Sequence, residues 1–375
     1  LVGSEMCIRD SGNPSSLHKL GIEAERAVKT AKERVAAGIK ANPSEILFTS
    51  GGTESDNIAL FGTASANRGR HIISTPLEHP AIINTLGELR ERGYKIDYTP
   101  VDSSGKVILK DFERLIRPDT FLVTAMIVNN EIGTIEPIAE MAKILKSVNP
   151  RAVFHTDAVQ GFGKVPINVD ALGVDLVSLS AHKVHGPKGM GALYIRRGTK
   201  IKPIIYGGGQ QQGMRSGTEN VPGMVGFGIA AKIAATDLGK KIERMSALKE
   251  RLKNGILNSI DNVRINTPDN NAPHILNVSF GGTKAEVVLH SLEMQDIFVS
   301  SGSACSSHKK EPSYVLTEIG VPRKMIDGSI RFSLSEFSTE EDVDITIEAL
   351  KKIIPRLRKL NLKSVSYTHL TLPTI

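Results

Sequence analysis

Glu45-Ile-Leu-Phe-Thr-Ser-Gly-Gly-Thr-Glu-Ser-Asp-Asn57 runs from a short apolar segment through a glycine pair into a polar helix start. The apolar segment, Glu45 to Thr49, is too short for a helix and does not alternate with polar residues. It reads as a strand buried on both faces, and the pattern from Thr53 onward is helical. The same texture returns downstream: strand-like runs at His71–Ser74, Phe121–Met126, Ala152–His155 and Asp175–Leu179 alternate with helical stretches such as Ala81–Arg92 and Ile138–Ser147. Strands and helices at this spacing specify an α/β fold with a mostly parallel sheet covered on both faces. Strand order is not encoded in such a pattern.

With 375 residues, 40% hydrophobic and 23% charged, the chain has material for a large core and about two or three domains. Its 34 Gly imply many tight turns and close backbone approaches. The formal charge of +7 is spread along the chain, with no basic run interleaved with aromatics. No nucleic-acid module is therefore expected, and a phosphate-bearing cofactor or an acidic partner suits the excess equally well. No apolar run reaches the roughly eighteen residues of a membrane span; the best, Val221 to Leu238, is interrupted by glycines and Lys232. The start lacks the basic-then-apolar order of a secretory signal, and Cys7 and Cys305 are the only cysteines, so a cytoplasmic, reducing compartment is expected. So few thiols support neither a disulfide framework nor a four-thiolate zinc site, and no metal is expected.

Residues 1–11 (LVGSEMCIRDS) and 364–375 share no periodicity with their neighbours and resemble translated adapter or vector sequence. On that reading Cys305 is the single authentic thiol. Between these ends the texture divides into a large domain, 12–245, and a smaller C-terminal domain, 246–363. Val221 to Ile260 reads as long helical material joining them. Beyond it Ile275–Phe280 and Ser329–Leu334 read as strands and Lys284–Glu293 as a helix, while Ile297–Ser300 leads into Ser301-Gly-Ser-Ala-Cys-Ser-Ser307. Thr339 to Leu360 closes the chain as an amphipathic helix, with Thr339 and Asp342 as a capping box.

Four constellations carry chemistry. In Phe48–Asn57, glycines at a strand-to-helix junction let a phosphate approach the helix N-terminus, although Thr53 and Asp56 also suit a plain helix cap. In Phe154-His-Thr-Asp-Ala-Val-Gln160, Asp157 ends an apolar strand, where α/β sheets place ligands. Such a carboxylate pairs with a protonated heterocycle or caps the corner. In Ser178-Leu-Ser-Ala-His-Lys-Val-His-Gly-Pro-Lys-Gly189, Lys183 follows another apolar strand; it is either a surface lysine or an amine able to condense with an aldehyde. Cys305 lies among small, flexible, polar neighbours that suit an exposed, reactive thiol better than a buried one.

Phosphate cup, strand-end Asp and strand-end Lys are together the parts that hold pyridoxal phosphate. With Cys305 added, the chain resembles the cysteine desulfurases of the NifS/IscS type, in the class V aminotransferase group of fold-type I enzymes. The resemblance runs from about Gly12 to Leu360, through GNPSSLH (12–18), FTSGGTESDN (48–57), EH (78–79), NNEIG (129–133), DAVQ (157–160), SAHKVHGPKG (180–189), RSGTEN (215–220), SGSACSS (301–307), EPSYVL (311–316) and IRFSL (330–334).

The resemblance implies a fold-type I transferase, with a mostly parallel seven-stranded sheet in the large domain and an α+β small domain. It also implies roles. Lys183 would hold pyridoxal phosphate covalently and move protons, Asp157 would pair with the pyridine nitrogen, Gln160 would meet the ring hydroxyl, and His79 would stack on the ring. Gly52, Thr53, Ser180 and His182 would cradle the phosphate, with Thr218 reaching the phosphate of a second subunit in a homodimer. Asn130 would contact cofactor and substrate, Arg331 would bind the substrate carboxylate, and Cys305 would take sulfur from L-cysteine as a persulfide. The implied service is sulfur delivery to an acceptor or cluster-scaffold protein; a selenocysteine lyase or another class V lyase or aminotransferase is the alternative. The family's Asp-Asn-Ala-Ala-Thr-like opening strand is absent, its place taken by LVGSEMCIRDS, which reads as an N-terminal truncation. Ser335-Glu-Phe-Ser338 also departs from the family's glycine-containing form.

Overall fold

The computed structural model describes residues 12–302 and 312–367. They form two compact units. The first comprises the residues through Pro100, then Val107–Val128 and Glu136–Leu238; the second comprises Val101–Lys106, Asn129–Ile135 and everything from Gly239 onward.

In the first unit, α1 (Lys19–Ala37) precedes β1 (Ile46–Thr49), α2 (Gly52–Ala66), β2 (His71–Ser74), α3 (Pro80–Glu91), β3 (Lys95–Tyr98), α4 (Leu109–Leu115) and β4 (Thr120–Thr124). Then follow α5 (Ile138–Val148), β5 (Val153–Asp157), α6 (Val169–Leu172), β6 (Leu176–Ser180), β7 (Gly191–Ile195) and α7 (Val221–Ala235). The strands make one seven-stranded sheet, ordered β1-β7-β6-β5-β4-β2-β3. Strands β2 to β6 pair in parallel, whereas β7 runs antiparallel to both β6 and β1. The mostly parallel, seven-stranded α/β expectation holds.

The strands read from sequence are buried along their whole length, as helices on both faces require. Leu47, Ile58, Leu60, Ile72, Leu86, Leu122, Leu176 and Leu193 form one continuous core across this sheet. Each such side chain contributes about 1.5–3 kcal/mol on burial. The edge strand β1 is shielded by Gln211, whose Oε1 accepts the Phe48 N–H at 3.1 Å. Helices α1 and α7 cross closely: a Cβ on Gly228 would lie 2.7 Å from the Ala31 Cα.

The second unit contains α8 (Leu238–Ser259), β8 (Val263–Ile265), β9 (Ile275–Phe280), α9 (Ala285–Glu293), α10 (Tyr314–Glu318), α11 (Arg323–Ile326), β10 (Ser329–Ser333) and α12 (Glu340–Tyr367). Its three strands form an antiparallel sheet in the order β10-β9-β8. Leu252 and Ile256 of α8, Leu292 of α9 and Leu350 and Ile354 of α12 pack with Val278, Phe280 and Ile330 of the sheet. Thr339 and Asp342 make the expected reciprocal cap: the Asp342 N–H donates to Thr339 Oγ1 at 3.1 Å, and the Thr339 N–H donates to Asp342 Oδ2 at 2.8 Å.

Two boundaries differ from the sequence reading. The chain passes from one unit to the other at Leu238, beside the left-handed Asp237 (φ 51°) that separates α7 from α8, whereas residue 245 lies inside α8. Helix α12 also continues beyond Leu360 to Tyr367, because no Gly or Pro stop occurs before Pro373. Among the described residues, no single helix is long and apolar enough to cross a membrane.

Candidate active site

The site in the first unit is assembled at the C-terminal ends of β1, β5 and β6. Helix α2 begins directly after β1, with Gly51 as its N-cap and no side-chain cap. Asp56 is therefore not the cap: it lies fully inside, and Glu54 reaches back instead to accept the Ser50 N–H at 2.8 Å. The amides of Gly52, Thr53 and Glu54 begin the helix and have no partner a turn earlier, so they point at whatever lies beyond its end. A Cβ on Gly51 would meet nothing within 4 Å, which leaves open space over that first turn. A Cβ on Gly52 would strike Val159 Cγ2 at 2.7 Å, with Ser180 Cβ at 3.8 Å. Glycine lets the helix start, the turn after β5 and the end of β6 converge.

Asp157, the last residue of β5, is buried, and one of its oxygens accepts the Val159 N–H at 2.8 Å. Burial pushes its carboxyl above the usual range; that N–H and the charges of His79 and Lys183 pull it back. Asp157 therefore both shapes the corner and faces Lys183 and the His79 imidazole. Gln160 follows in the same turn, half-buried.

Lys183, also half-buried, sits on the 3₁₀ turn Ala181–Val184 that continues β6 from the buried Ser180. The turn is closed by hydrogen bonds from the Gly186 N–H to the Ala181 carbonyl (2.9 Å) and from the Ala181 N–H to Met190 (3.0 Å). His182 is exposed, its imidazole held below its ordinary pKa by partial desolvation and by Lys183 and Lys188. His79 caps α3, and its Nδ1 accepts the Ala81 N–H at 3.1 Å. The proton of the neutral ring is thereby fixed on Nε2, and burial together with Lys183 favours that neutral form against the opposing Asp157. Thr218 is exposed in the loop before α7.

Sequence reasoning did not identify a second layer of buried titratable groups behind Asp157. Asp56 lies on the inner face of α2, and burial raises its carboxyl well above the usual range, with Asp157 and Glu78 adding like-charge repulsion. Glu78 is pushed up to about 8 by burial, although its Oε1 accepts from Thr75 Oγ1 (2.6 Å) and the Met126 N–H (2.9 Å). His155 in β5 is driven down to about 3 by burial, between Thr124 Oγ1 (2.8 Å) and Ser178 Oγ (2.9 Å). Burial thus disfavours the charged form of all three groups. For His155 and Asp56 the available signal was a polar residue placed mid-strand or on the buried stripe of a helix.

In the second unit, Asn130 and Arg331 come together: Arg331 Nη1 donates to the Asn130 carbonyl at 2.7 Å. Asn130 is buried, and its Oδ1 has no hydrogen-bond partner. Arg331 is held in β10 by paired backbone bonds with Ser300 (2.7 and 3.1 Å). The Asn129–Ile135 turn depends on Asn129, whose Oδ1 accepts the Glu131 and Ile132 N–H groups, and on Gly133 at φ 78°. Cys305 lies outside the described residues.

Three comparisons relate the chain to known proteins. The aminotransferase class-V family model matches residues 3–346. A protein of Dictyoglomus turgidum named cysteine desulfurase IscS is 47% identical over 353 residues, covering 93% of this chain and 89% of that protein. A solved NifS-like protein superposes with a TM-score of 0.87 at 42% identity, covering 94% of this chain and 95% of that one. The structure described as SspA in complex with cysteine superposes at 0.75 with 34% identity, covering 90% and 95%.

Proposed function

The chain belongs to the aminotransferase class-V family, and from that premise we propose a complete reading of its activity. It is a cysteine desulfurase, an enzyme that converts L-cysteine to L-alanine and passes the sulfur to its own cysteine. One observation carries the chemistry. Asp157 and Lys183, at the ends of the adjacent parallel strands β5 and β6, and His79, the N-cap of α3, act on one another's charge beside the open, glycine-lined start of α2.

Those residues fit pyridoxal phosphate. The first-turn amides of α2, Gly52, Thr53, Ser180 and His182 would receive its phosphate. Asp157 would offer a carboxylate to the ring nitrogen, Gln160 would meet the ring hydroxyl, Asn130 would add a further contact, and His79 would cover a face. Thr218, exposed, would serve the phosphate of a second copy in a homodimer. The cofactor supplies an electron sink for the electron pair left when the substrate Cα–H bond breaks.

The chain's own residues do the rest. Lys183 would anchor the cofactor and take the Cα proton; once the carbon–sulfur bond has broken, one proton goes to the substrate β-carbon and one is returned to Cα, which completes alanine. Arg331 grips the substrate carboxylate through its planar fork, beside Asn130. The Cys305 thiolate bonds to the substrate sulfur as the carbon–sulfur bond breaks; the released electron pair stays on the carbon skeleton, which leaves as alanine. No external oxidant is required. The persulfide is then handed, in the cytoplasm, to an acceptor or cluster-scaffold protein that builds iron–sulfur or related cofactors.

The test is product stoichiometry. Purified protein given L-cysteine and a reductant should release sulfide and alanine in equal amounts, and Lys183→Ala should release neither. Alanine without sulfide, or turnover that survives Lys183→Ala, would overturn the reading.

A further inference from the structure

The turn that carries Asn130 is held by groups other than the Glu131 side chain. Asn129 Oδ1 receives the Glu131 and Ile132 N–H groups at 2.9 and 3.0 Å, and Asn277 Nδ2 donates to the Glu131 carbonyl at 3.1 Å. Yet the Glu131 carboxyl is carried into the interior, only 1% exposed. Burying an ionisable group without a purpose is costly. Its surroundings show the purpose. Oε2 accepts from Ser313 Oγ at 2.5 Å, and a Cβ on Gly302 would lie 3.7 Å from the same oxygen; burial pushes this carboxyl up, while the Ser313 bond and the charge of Arg331 pull it back. Ser313 is itself the N-cap of α10, its Oγ accepting the Leu316 N–H at 3.1 Å. One hydroxyl thus ties α10 to the turn, and the turn's Asn130 carbonyl receives Arg331 Nη1 at 2.7 Å.

We propose that Glu131 is a positioning residue for the substrate carboxylate: by joining Ser313 to the Asn130–Arg331 pair, it fixes the direction in which Arg331 presents its fork. The inference rests on the role given above to Arg331. Its physical content is preorganisation. A guanidinium held in one orientation meets a carboxylate in a bidentate manner, whereas one free to swing pays the ordering cost on every binding event.

The experiment compares two ligands that differ only in a carboxylate, L-alanine and ethylamine. Their equilibrium binding to the holoenzyme is followed by the cofactor's absorbance. In Glu131→Ala, L-alanine should bind about tenfold to a hundredfold more weakly, the loss expected for a hydrogen bond to a charged group. Ethylamine should stay within about twofold, and KM for L-cysteine should rise with L-alanine while kcat changes less than about threefold. Glu131→Gln, which keeps an oxygen for the Ser313 hydroxyl, should restore L-alanine binding. Ser313→Ala removes the same link without touching the turn; it should reproduce the selective loss, and it carries the test should Glu131→Ala fail to fold. Combining Glu131→Ala with Ser313→Ala should add nothing further. Unaltered selectivity in these variants, equal weakening of both ligands, or a Gln variant as impaired as the Ala variant overturns the proposal. If the wild-type enzyme itself does not prefer L-alanine over ethylamine, the role of Arg331 falls, and this inference with it.

Discussion

Gly52→Ala tests the convergence of α2, β5 and β6 most sharply. The new Cβ would lie 2.7 Å from Val159 Cγ2, whereas carbon atoms rest at about 3.5–4.0 Å. Closing that gap moves Val159 or turns its stiff χ1 out of place, and the Val159 N–H is what Asp157 Oδ1 accepts at 2.8 Å. The strain therefore reaches the carboxylate offered to the cofactor. Overpacking of this kind costs about 1–3 kcal/mol. Replacing glycine by alanine within a helix returns at most about 1 kcal/mol, and less at the first position, so the clash prevails. Fold stability should fall modestly, because the two effects only partly offset each other. Cofactor affinity has no such compensation and should fall roughly 5- to 150-fold. The assay is titration of cofactor-free protein with pyridoxal phosphate, followed by absorbance and checked by equilibrium dialysis. Adding Val159→Ala deletes the opposing methyl and should bring the affinity back to within about threefold. Unchanged affinity in Gly52→Ala, or a double variant weaker than the single one, would refute the reasoning.

Other consequences follow from the same geometry. Glu78 keeps its proton up to about pH 8 in the folded chain but loses it near 4.5 when unfolded, so stability should fall across that window as pH rises, by at most about 1.4 kcal/mol per unit. Glu78→Gln should flatten that limb of a thermal-midpoint profile; an unchanged slope would show that Glu78 is charged inside. His155 works in the opposite sense: its pKa drops from 6.5 to about 3 on folding, so stability should fall as pH drops through that range, and less steeply in His155→Gln. Thr339→Ala removes one half of the reciprocal cap on α12 and should cost about 0.5–2 kcal/mol in urea unfolding of the second unit. Lys183→Ala should still bind pyridoxal phosphate, but release it on gel filtration without added amine, because the covalent anchor is gone.

What was legible in the sequence follows from local physics. Strands β2, β4, β5 and β6 are buried on both faces, and unbroken apolar runs announced them. The edge strand β3, Lys95-Ile-Asp-Tyr98, is exposed enough to carry charge and went unseen. So did β7, whose Gly191 is forced by the approach of Gly51, at 2.6 Å from a would-be Cβ. The place of β1 beside the antiparallel β7 is set by tertiary pairing that no window of residues records. In the site, Asp157 and Lys183 were legible because a polar residue that ends a buried strand has a ligand end to face. Asp56, Glu78 and Glu131 were not, because a carboxyl becomes informative only once its burial is known. Glycines at 51, 52 and 133 were visible as residues, but their reasons lie in neighbours distant along the chain.

The central claim is that sulfur leaves L-cysteine for Cys305. It is tested most directly by intact-mass and peptide analysis of the holoenzyme after a brief exposure to L-cysteine without reductant. The account predicts one added sulfur atom, located on Cys305, absent from Lys183→Ala, and removed by reductant as sulfide. Cys305→Ser should keep the cofactor's absorbance yet release no sulfide. Sulfide release from Cys305→Ser at the wild-type rate would contradict the account.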